Sequence, residues 1–218
     1  MWRGAKMEWV LEDFAFGGAP FSVWHFTYAS SGVPTPPPPQ LRSLERAEGE
    51  IGAVLWAEAA HACLRWLETD GVALRGCRVL ELGSGCGFVG LALAAAGARV
   101  TLSDKADLAP LLEANGALAR ARGCEVEVRV LDWAAALPAE LPRFDLVVGC
   151  DLLYGDTPFE GLLAVVRSVV CKGTAFRLAV NKRDQLQGMH RFVALMGADF
   201  SVRTTEVEDV AMLVAERG

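Results

Sequence analysis

The nine residues Val79-Leu80-Glu81-Leu82-Gly83-Ser84-Gly85-Cys86-Gly87 constrain the fold of this chain more than any others. A short apolar run ends in an acid and passes at once into a turn with glycine at alternate positions. Phe88-Val89-Gly90-Leu91-Ala92-Leu93 then continues as the apolar start of a helix. Glycine tolerates positive φ and lets the backbone come close to a ligand. The first N–H groups of a helix lack partners within it and face whatever lies beyond its end. Strand, glycine turn and helix in this order read as a nucleotide-type cofactor loop. The alternative is a tight turn with no ligand, but so many glycines weaken a merely structural turn.

Gly85-Cys86-Gly87-Phe88-Val89-Gly90 fits the G-x-G-x-x-G pattern of dinucleotide enzymes, which alone discriminates little. Two details point away from a dinucleotide. Glu81 ends the strand, and the pair Gly83-Ser84 precedes the pattern. A carboxylate there repels a pyrophosphate and suits an amine-bearing or cationic ligand. A second acid follows about twenty residues after the glycines. Arg99-Val100-Thr101-Leu102-Ser103-Asp104 reads as another strand ending in a carboxylate. Rossmann-like folds place an acid on the ribose hydroxyls at that spacing. An ordinary helix N-cap is the other role open to Asp104; beside the glycine loop, the ribose role leads.

Composition fits one α/β unit. The chain has 218 residues, 52% hydrophobic and 22% charged, and at that length about 70% of the unfolded surface can be buried. No apolar run reaches the roughly twenty residues that span a bilayer, so no membrane partner is expected. Glu8, Glu12 and Asp13 beside Arg3 and Lys6 argue against a transit peptide. Cys63, Cys77, Cys86, Cys124, Cys150 and Cys171 form no C-x-x-C pair and read as reduced thiols of a cytoplasmic or nuclear protein. His25, His61 and His190 lack metal-ligand spacing, so no metal is expected. A net charge of −6 disfavours sequence-independent nucleic-acid binding and is compatible with a basic protein substrate.

The chain divides at about residue 52. Phe14 and Phe16, then Phe21, Val23 and His25, alternate around Gly17-Gly18-Ala19-Pro20 and predict a β-hairpin. Pro34 and Pro36-Pro37-Pro38-Pro39 predict an extended linker. Residues 1–51 thus read as a hairpin extension with a proline-rich linker, and 52–218 as the main domain. There, helices are predicted at 54–67, 88–96, 107–121 and 157–169. Strands are predicted at 77–82, 98–103, 125–131, 144–150 and 173–180. Two more, 199–203 and 211–216, flank the acidic turn Glu206-Val207-Glu208-Asp209. Such alternation implies a mostly parallel sheet with helices on both faces. Asn181-Lys182-Arg183-Asp184 reads as a solvated loop after the fifth of these strands, with a substrate contact as the alternative.

Val79 to Gly97, with Asp104, resembles motif I and its sequel in the class I, seven-stranded S-adenosylmethionine-dependent methyltransferases. Gly52-Ala53-Val54-Leu55-Trp56, then Asp132-Trp133, then Gly149-Cys150-Asp151-Leu152-Leu153-Tyr154 resemble the methyltransferase-like group of non-histone protein lysine methyltransferases. The resemblance runs from about Phe14 to the C-terminus. Ala57 departs from it, since the group often has proline or aspartate there. It implies a Rossmann-like seven-stranded sheet and S-adenosyl-L-methionine as cofactor. The implied cofactor residues are Trp56, Glu81, Gly83, Ser84, Gly85, Gly87, Asp104, Asp132, Trp133 and Cys150. Asp132 and Trp133 fall where such a fold places the adenine: a carboxylate accepts from its amino group and an indole gives its ring a flat face. A capping Asp followed by a core Trp is the structural alternative.

Asp151 and Tyr154 are the implied catalytic pair. A lysine ammonium has a pKa of about 10.4 and must be neutral to attack a methyl group. Asp151 would hold and orient the amine, Tyr154 would narrow the channel for its stem, and alignment would supply most of the acceleration. A helix-capping Asp151 and a packing Tyr154 are the alternative roles. Enzymes of this fold that methylate nucleic-acid amino groups commonly carry Asn/Asp-Pro-Pro-aromatic here. This chain has Asp-Leu-Leu-Tyr, which disfavours a flipped base. The expected function is protein-lysine N-methylation, with a protein substrate. A nucleic-acid or small-molecule methyltransferase stays open, as does a silent S-adenosylmethionine-binding module.

Overall fold

The computed structural model describes residues 8–27, 41, 53–138, 140–155 and 157–218. The proline-rich stretch lies outside the described residues. The chain opens with a two-stranded antiparallel hairpin, β1 (Glu8–Phe16) and β2 (Ala19–Thr27). Gly17 and Gly18 form its two-residue turn at φ 56° and 79°, the left-handed pair that matches the twist of the flanking strands. The alternation Phe16, Phe21, Val23, His25 is buried as expected, but Ser22, Trp24 and Phe26 are buried too. Trp9 lies on Phe26 at 3.9 Å, and Asn115 grips the Trp24 backbone, so β2 is covered on both faces.

The main sheet contains β3 (Arg78–Leu82), β4 (Arg99–Asp104), β5 (Glu125–Val130), β6 (Leu146–Cys150), β7 (Ala175–Asn181), β8 (Ser201–Val207) and β9 (Val210–Glu216). Their order is β5-β4-β3-β6-β7-β9-β8, with β9 antiparallel to both neighbours and the other pairings parallel. The final hairpin turn is shorter than the acidic stretch suggested. Strand β8 runs on to Val207, and only Glu208 and Asp209 turn, Glu208 at φ 51°.

Successive strand residues point to opposite faces. Val79, Val148 and Ala179 enter one core with α1 (Ala57–Thr69), α2 (Phe88–Ala95), α3 (Ala109–Ala121) and the hairpin. Leu80, Val147, Leu178 and Val180 enter a second core with α4 (Phe159–Val169) and α5 (Lys182–Met196). Helices therefore cover both faces. Two expectations are corrected. Helix α1 starts at Ala57 instead of 54: Val54 bridges to Phe26 and Trp56 sits at the N-cap. Asn181-Lys182-Arg183-Asp184 is no loop. Asn181 caps α5 through Oδ1, which accepts from the Arg183 amide at 3.0 Å, and the next three residues are the first turn of α5.

The chain runs outward from β3 to β5, then returns to place β6 beside β3. Open α/β sheets bind ligands at the carboxyl ends of strands where the order reverses in this way. Glu81, Asp104 and Asp151 all lie at or just past strand ends on that edge.

Candidate active site

A cavity of about 530 Å³ opens at this edge. It is lined by Trp56, Glu81, Gly83, Ser84, Gly85, Asp104, Asp132, Trp133, Cys150, Asp151 and Tyr154. Of the residues singled out from the sequence, Gly87 alone lies off the wall. It is the left-handed N-cap of α2, with φ 81°. A Cβ there would come within 3.2–3.3 Å of Leu102, Leu112 and Leu91, so its need is for packing behind the loop.

Backbone and hydroxyl bonds fix the glycine loop to β4. The Ser84 amide donates to the Ser103 carbonyl, and Ser84 Oγ accepts from the Ser103 amide, both at 2.9 Å. Ser103 Oγ donates to the Glu81 carbonyl at 2.6 Å. Gly83 has φ 58°, and a Cβ on it would stand 2.6 Å from Leu152 and 3.1 Å from the Trp133 ring. The turn thus packs close against the Trp133 indole and Leu152.

Three of the acids on the cavity wall, Glu81, Asp104 and Asp151, are raised by burial. Glu81 is 4% exposed, and its Oε2 has no hydrogen-bond partner among the described residues. Burial pushes it up to about 8; nearby Ser84 and the Gly90 amide oppose this, and the Asp104 charge adds to it. Helix α2 lies so close that a Cβ on Gly90 would stand 2.7 Å from that oxygen. Asp104 is also raised by burial, against donation from two backbone amides. Gly85 donates to its Oδ2 and Lys105 to its Oδ1, each at 2.8 Å. The N-cap of the short helical turn that follows is Lys105, not Asp104. Asp104 ties the glycine loop to the end of β4 and still faces the cavity.

Asp132 and Trp133 follow β5. Oδ1 of Asp132 accepts from the Ala134 amide at 2.9 Å in a local turn, and no helix follows it directly. The Trp133 Nε1–H is buried without a partner among the described residues. Cys150 ends β6. Its thiol is held well above the ordinary range, first by the neighbouring Cys63 thiol and then by burial, so it stays protonated.

Asp151 takes φ 52°, a left-handed backbone outside glycine. Burial raises it to about 6, opposed by the Asn181 amide and Gln185 and reinforced by Glu58 and Asp184. Its Oδ1 accepts from the Asn181 amide at 2.7 Å and from Gln185 Nε2 at 2.9 Å. Tyr154 is 46% exposed at the rim. Burial raises its phenol, and the Asp104 and Asp151 charges add to this, so it is neutral at physiological pH. Trp56 is the other exposed aromatic of the rim, at 50%.

Two residues that shape the site went unnoticed in the sequence, Asn115 and Gln185. Both are buried amides on helices. Asn115 on α3 donates to the Cys86 carbonyl of the glycine loop at 2.8 Å while holding the Trp24 backbone. Their signal was a polar residue inside an apolar stripe, since a buried amide has to find partners.

A sequence model of the lysine methyltransferase family matches residues 36–198. Protein N-lysine methyltransferase METTL21A of Mus musculus is 31% identical over 166 residues, 75% of this chain and 74% of that protein. Its Danio rerio counterpart is 32% identical over 157 residues, 70% of each. EEF1A lysine methyltransferase 3 of Mus musculus is 31% identical over 117 residues, 54% of this chain and 50% of that protein. Among solved structures, the T. thermophilus 16S rRNA N2 G1207 methyltransferase RsmC, in complex with AdoMet and guanosine, superposes with a TM-score of 0.66 at 21% identity. That match covers 97% of this chain and about half, 51%, of RsmC. Magnesium protoporphyrin IX methyltransferase of Synechocystis with bound SAM gives 0.55 at 23% identity, over 73% of this chain and 78% of that one. At these identities the two structures speak to the fold.

Proposed function

Since the chain belongs to the lysine methyltransferase family, we propose that it transfers a methyl group from S-adenosylmethionine to a lysine side chain of a non-histone protein. The observation that carries this reading is that Asp151 and Tyr154 stand on the wall of the same cavity that Glu81 and Asp104 line. One end suits a cationic cofactor and the other suits an amine.

The residues fit that cofactor. Glu81 Oε2 and Trp133 Nε1 are buried polar atoms without partners among the described residues. A buried carboxyl oxygen left without a partner is costly unless a ligand completes it, and an ammonium would do so. Asp104, already fixed by two amides, offers its remaining lone pairs to ribose hydroxyls. Trp133 and Asp132 form the wall for the adenine, with the second oxygen of Asp132 free of its local turn bond. S-adenosylmethionine, when bound, supplies an electrophilic methyl on a sulfonium.

Asp151 and Tyr154 act on the amine. Near neutral pH Asp151 is ionised, since it titrates at about 6. It is too weak a base to strip an ammonium of pKa about 10.4, so the amine has to arrive neutral. Asp151 then accepts an N–H bond and turns the nitrogen lone pair towards the methyl. As the nitrogen gains positive charge, the fixed carboxylate stabilises it more in the transition state than in the ground state. The neutral Tyr154 ring narrows the entry around the alkyl stem.

The test is methyl transfer from labelled cofactor to lysate proteins, with amino-acid analysis of the product. Methyl-lysine on protein is expected. Label on RNA, on a small molecule or on another side chain would reject the lysine reading and leave the fold untouched.

A further inference from the structure

We propose that Gln185 is a positioning residue that fixes the place of Asp151; this rests on the role given to Asp151 above. Gln185 lies in the first turn of α5, 5% exposed and thirty-four residues along the chain from Asp151. Its Nε2 donates to Asp151 Oδ1 at 2.9 Å, and its Oε1 accepts from the Leu153 amide at 2.9 Å. One amide therefore reads both ends of the tripeptide Asp151-Leu152-Leu153. Only this orientation serves: turned over, it would set N–H against N–H and oxygen against carboxylate.

The surrounding backbone makes the clamp necessary. Asp151 is held at φ 52°, a conformation that persists only where neighbours over-determine it. Its own amide donates to the Ala179 carbonyl at 2.8 Å. One helical turn beyond Gln185, Gly188 lets α5 sit directly on the loop, since a Cβ there would stand 2.5 Å from the Leu153 carbonyl. Thr157 closes the far side through bonds to the Leu152 and Tyr154 carbonyls. Leu, Glu or Lys at 185 could fill the helix position. Gln alone among them both donates to a carboxylate and accepts from an amide.

Charge follows from the same contact. Asp151 faces Glu58 from α1 and Asp184 from α5, with Cys150 and Tyr154 on its own segment. Arg183 is spent on Glu58 and Lys182 on Glu206. The Gln185 donor and the Asn181 amide are thus what favour the ionised form against burial and two acids.

Two variants of the full chain test this. Gln185→Leu removes both bonds. Gln185→Glu keeps the size and the acceptor for Leu153, and turns only the contact with Asp151 from attractive to repulsive. In the ligand-free protein, NMR titration of the Asp151 carboxyl should move from about 6 to roughly 7 or above in both. Initial rates of label transfer to lysate protein at saturating cofactor should fall roughly ten- to a hundredfold. Calorimetric affinity for S-adenosylhomocysteine should hold. Combined with Asp151→Asn, either variant should add nothing further, because it acts through Asp151. An unmoved Asp151 midpoint, or full activity of a folded Gln185→Glu protein, would overturn the proposal. A midpoint that moves while no methyl-lysine forms would sustain the placement and sink only the lysine reading.

Discussion

Glu81 should make this protein more stable in mild acid, and cofactor binding should erase the effect. Its folded pKa of about 8 stands above the ordinary 4.5. The folded state therefore keeps a proton that the unfolded chain gives up between those values. Stability is full below about 4.5, falls as pH rises, and levels off above about 8. Between pH 6 and 8 the loss is roughly 2 kcal/mol, or about 4–8 °C in Tm for a chain of this length. Glu81→Gln has the shape of the protonated acid and no proton to lose. Its ligand-free Tm should lack this slope and exceed wild type most at pH 8. Binding reverses the sign. At pH 7 about nine-tenths of Glu81 is protonated, and pairing with the cofactor ammonium should expel that proton. Calorimetry in two buffers of different ionisation enthalpy should show release near one proton per cofactor for wild type and close to none for Glu81→Gln. The variant's affinity should fall roughly ten- to a hundredfold. Equal pH slopes in the two proteins, or binding without proton release, would show that Glu81 is already ionised and that its burial has been misread.

Other outcomes follow from the same geometry. Asp104→Ala should cost both cofactor affinity, roughly tenfold or more, and thermal stability, because the carboxylate holds the Gly85 and Lys105 amides as well; an unchanged S-adenosylhomocysteine titration would restrict Asp104 to the loop. Transfer rate should drop as pH falls through about 6, where Asp151 takes up a proton, and Asp151→Asn should abolish that limb at a rate roughly a hundredfold lower, read from a pH–rate series. Asn115→Leu should destabilise by roughly 3 kcal/mol in urea, since it strands the Trp24 backbone and the Cys86 carbonyl. Gly161→Ala should also destabilise, by roughly 1–3 kcal/mol in the same assay, because its Cβ would strike the Trp133 carbonyl.

What the sequence disclosed was what strands disclose. Glu81, Asp104 and Asp151 were legible because each ends or follows a short apolar run, and a parallel sheet brings such ends to one edge. The strands and the hairpin stood close to where the apolar periods put them, apart from β8, which runs over Ser201–Val207 instead of 199–203. Helix α5 did not stand out. Lys182-Arg183-Asp184 at its start reads as polar loop, and its buried stripe is thin: Gln185, Met189, Phe192 and Met196, spaced four, three and four apart. That spacing is helical, but its first member is an amide, which a search for apolar periodicity passes over. Asn115 hides in the same way beside Leu111, Leu112 and Ala119 of α3. The start of α1 was misjudged for the opposite reason: Val54 and Leu55 are apolar but serve a bridge to the hairpin and the cavity wall.

These two kinds of residue divide the work of the site. The strand-end acids face the cavity and are perturbed, Glu81 to about 8 and Asp151 to about 6. Each is a carboxyl that the fold alone leaves short of counter-charge, and under the proposed function each would be answered by a positive ligand: an ammonium for one, a nitrogen gaining charge for the other. The helix amides are buried and bonded through both oxygen and nitrogen, and they help decide where the acids stand. Asn115 anchors the loop that follows Glu81, and Gln185 anchors the tripeptide that begins with Asp151. A change in an acid should therefore alter charge-dependent properties such as proton release and the pH profile with little loss of fold. A change in an amide displaces an acid and should move the same properties together with stability. That separation is measurable in one set of variants, and it assigns chemistry to the sheet edge and placement to the helices behind it.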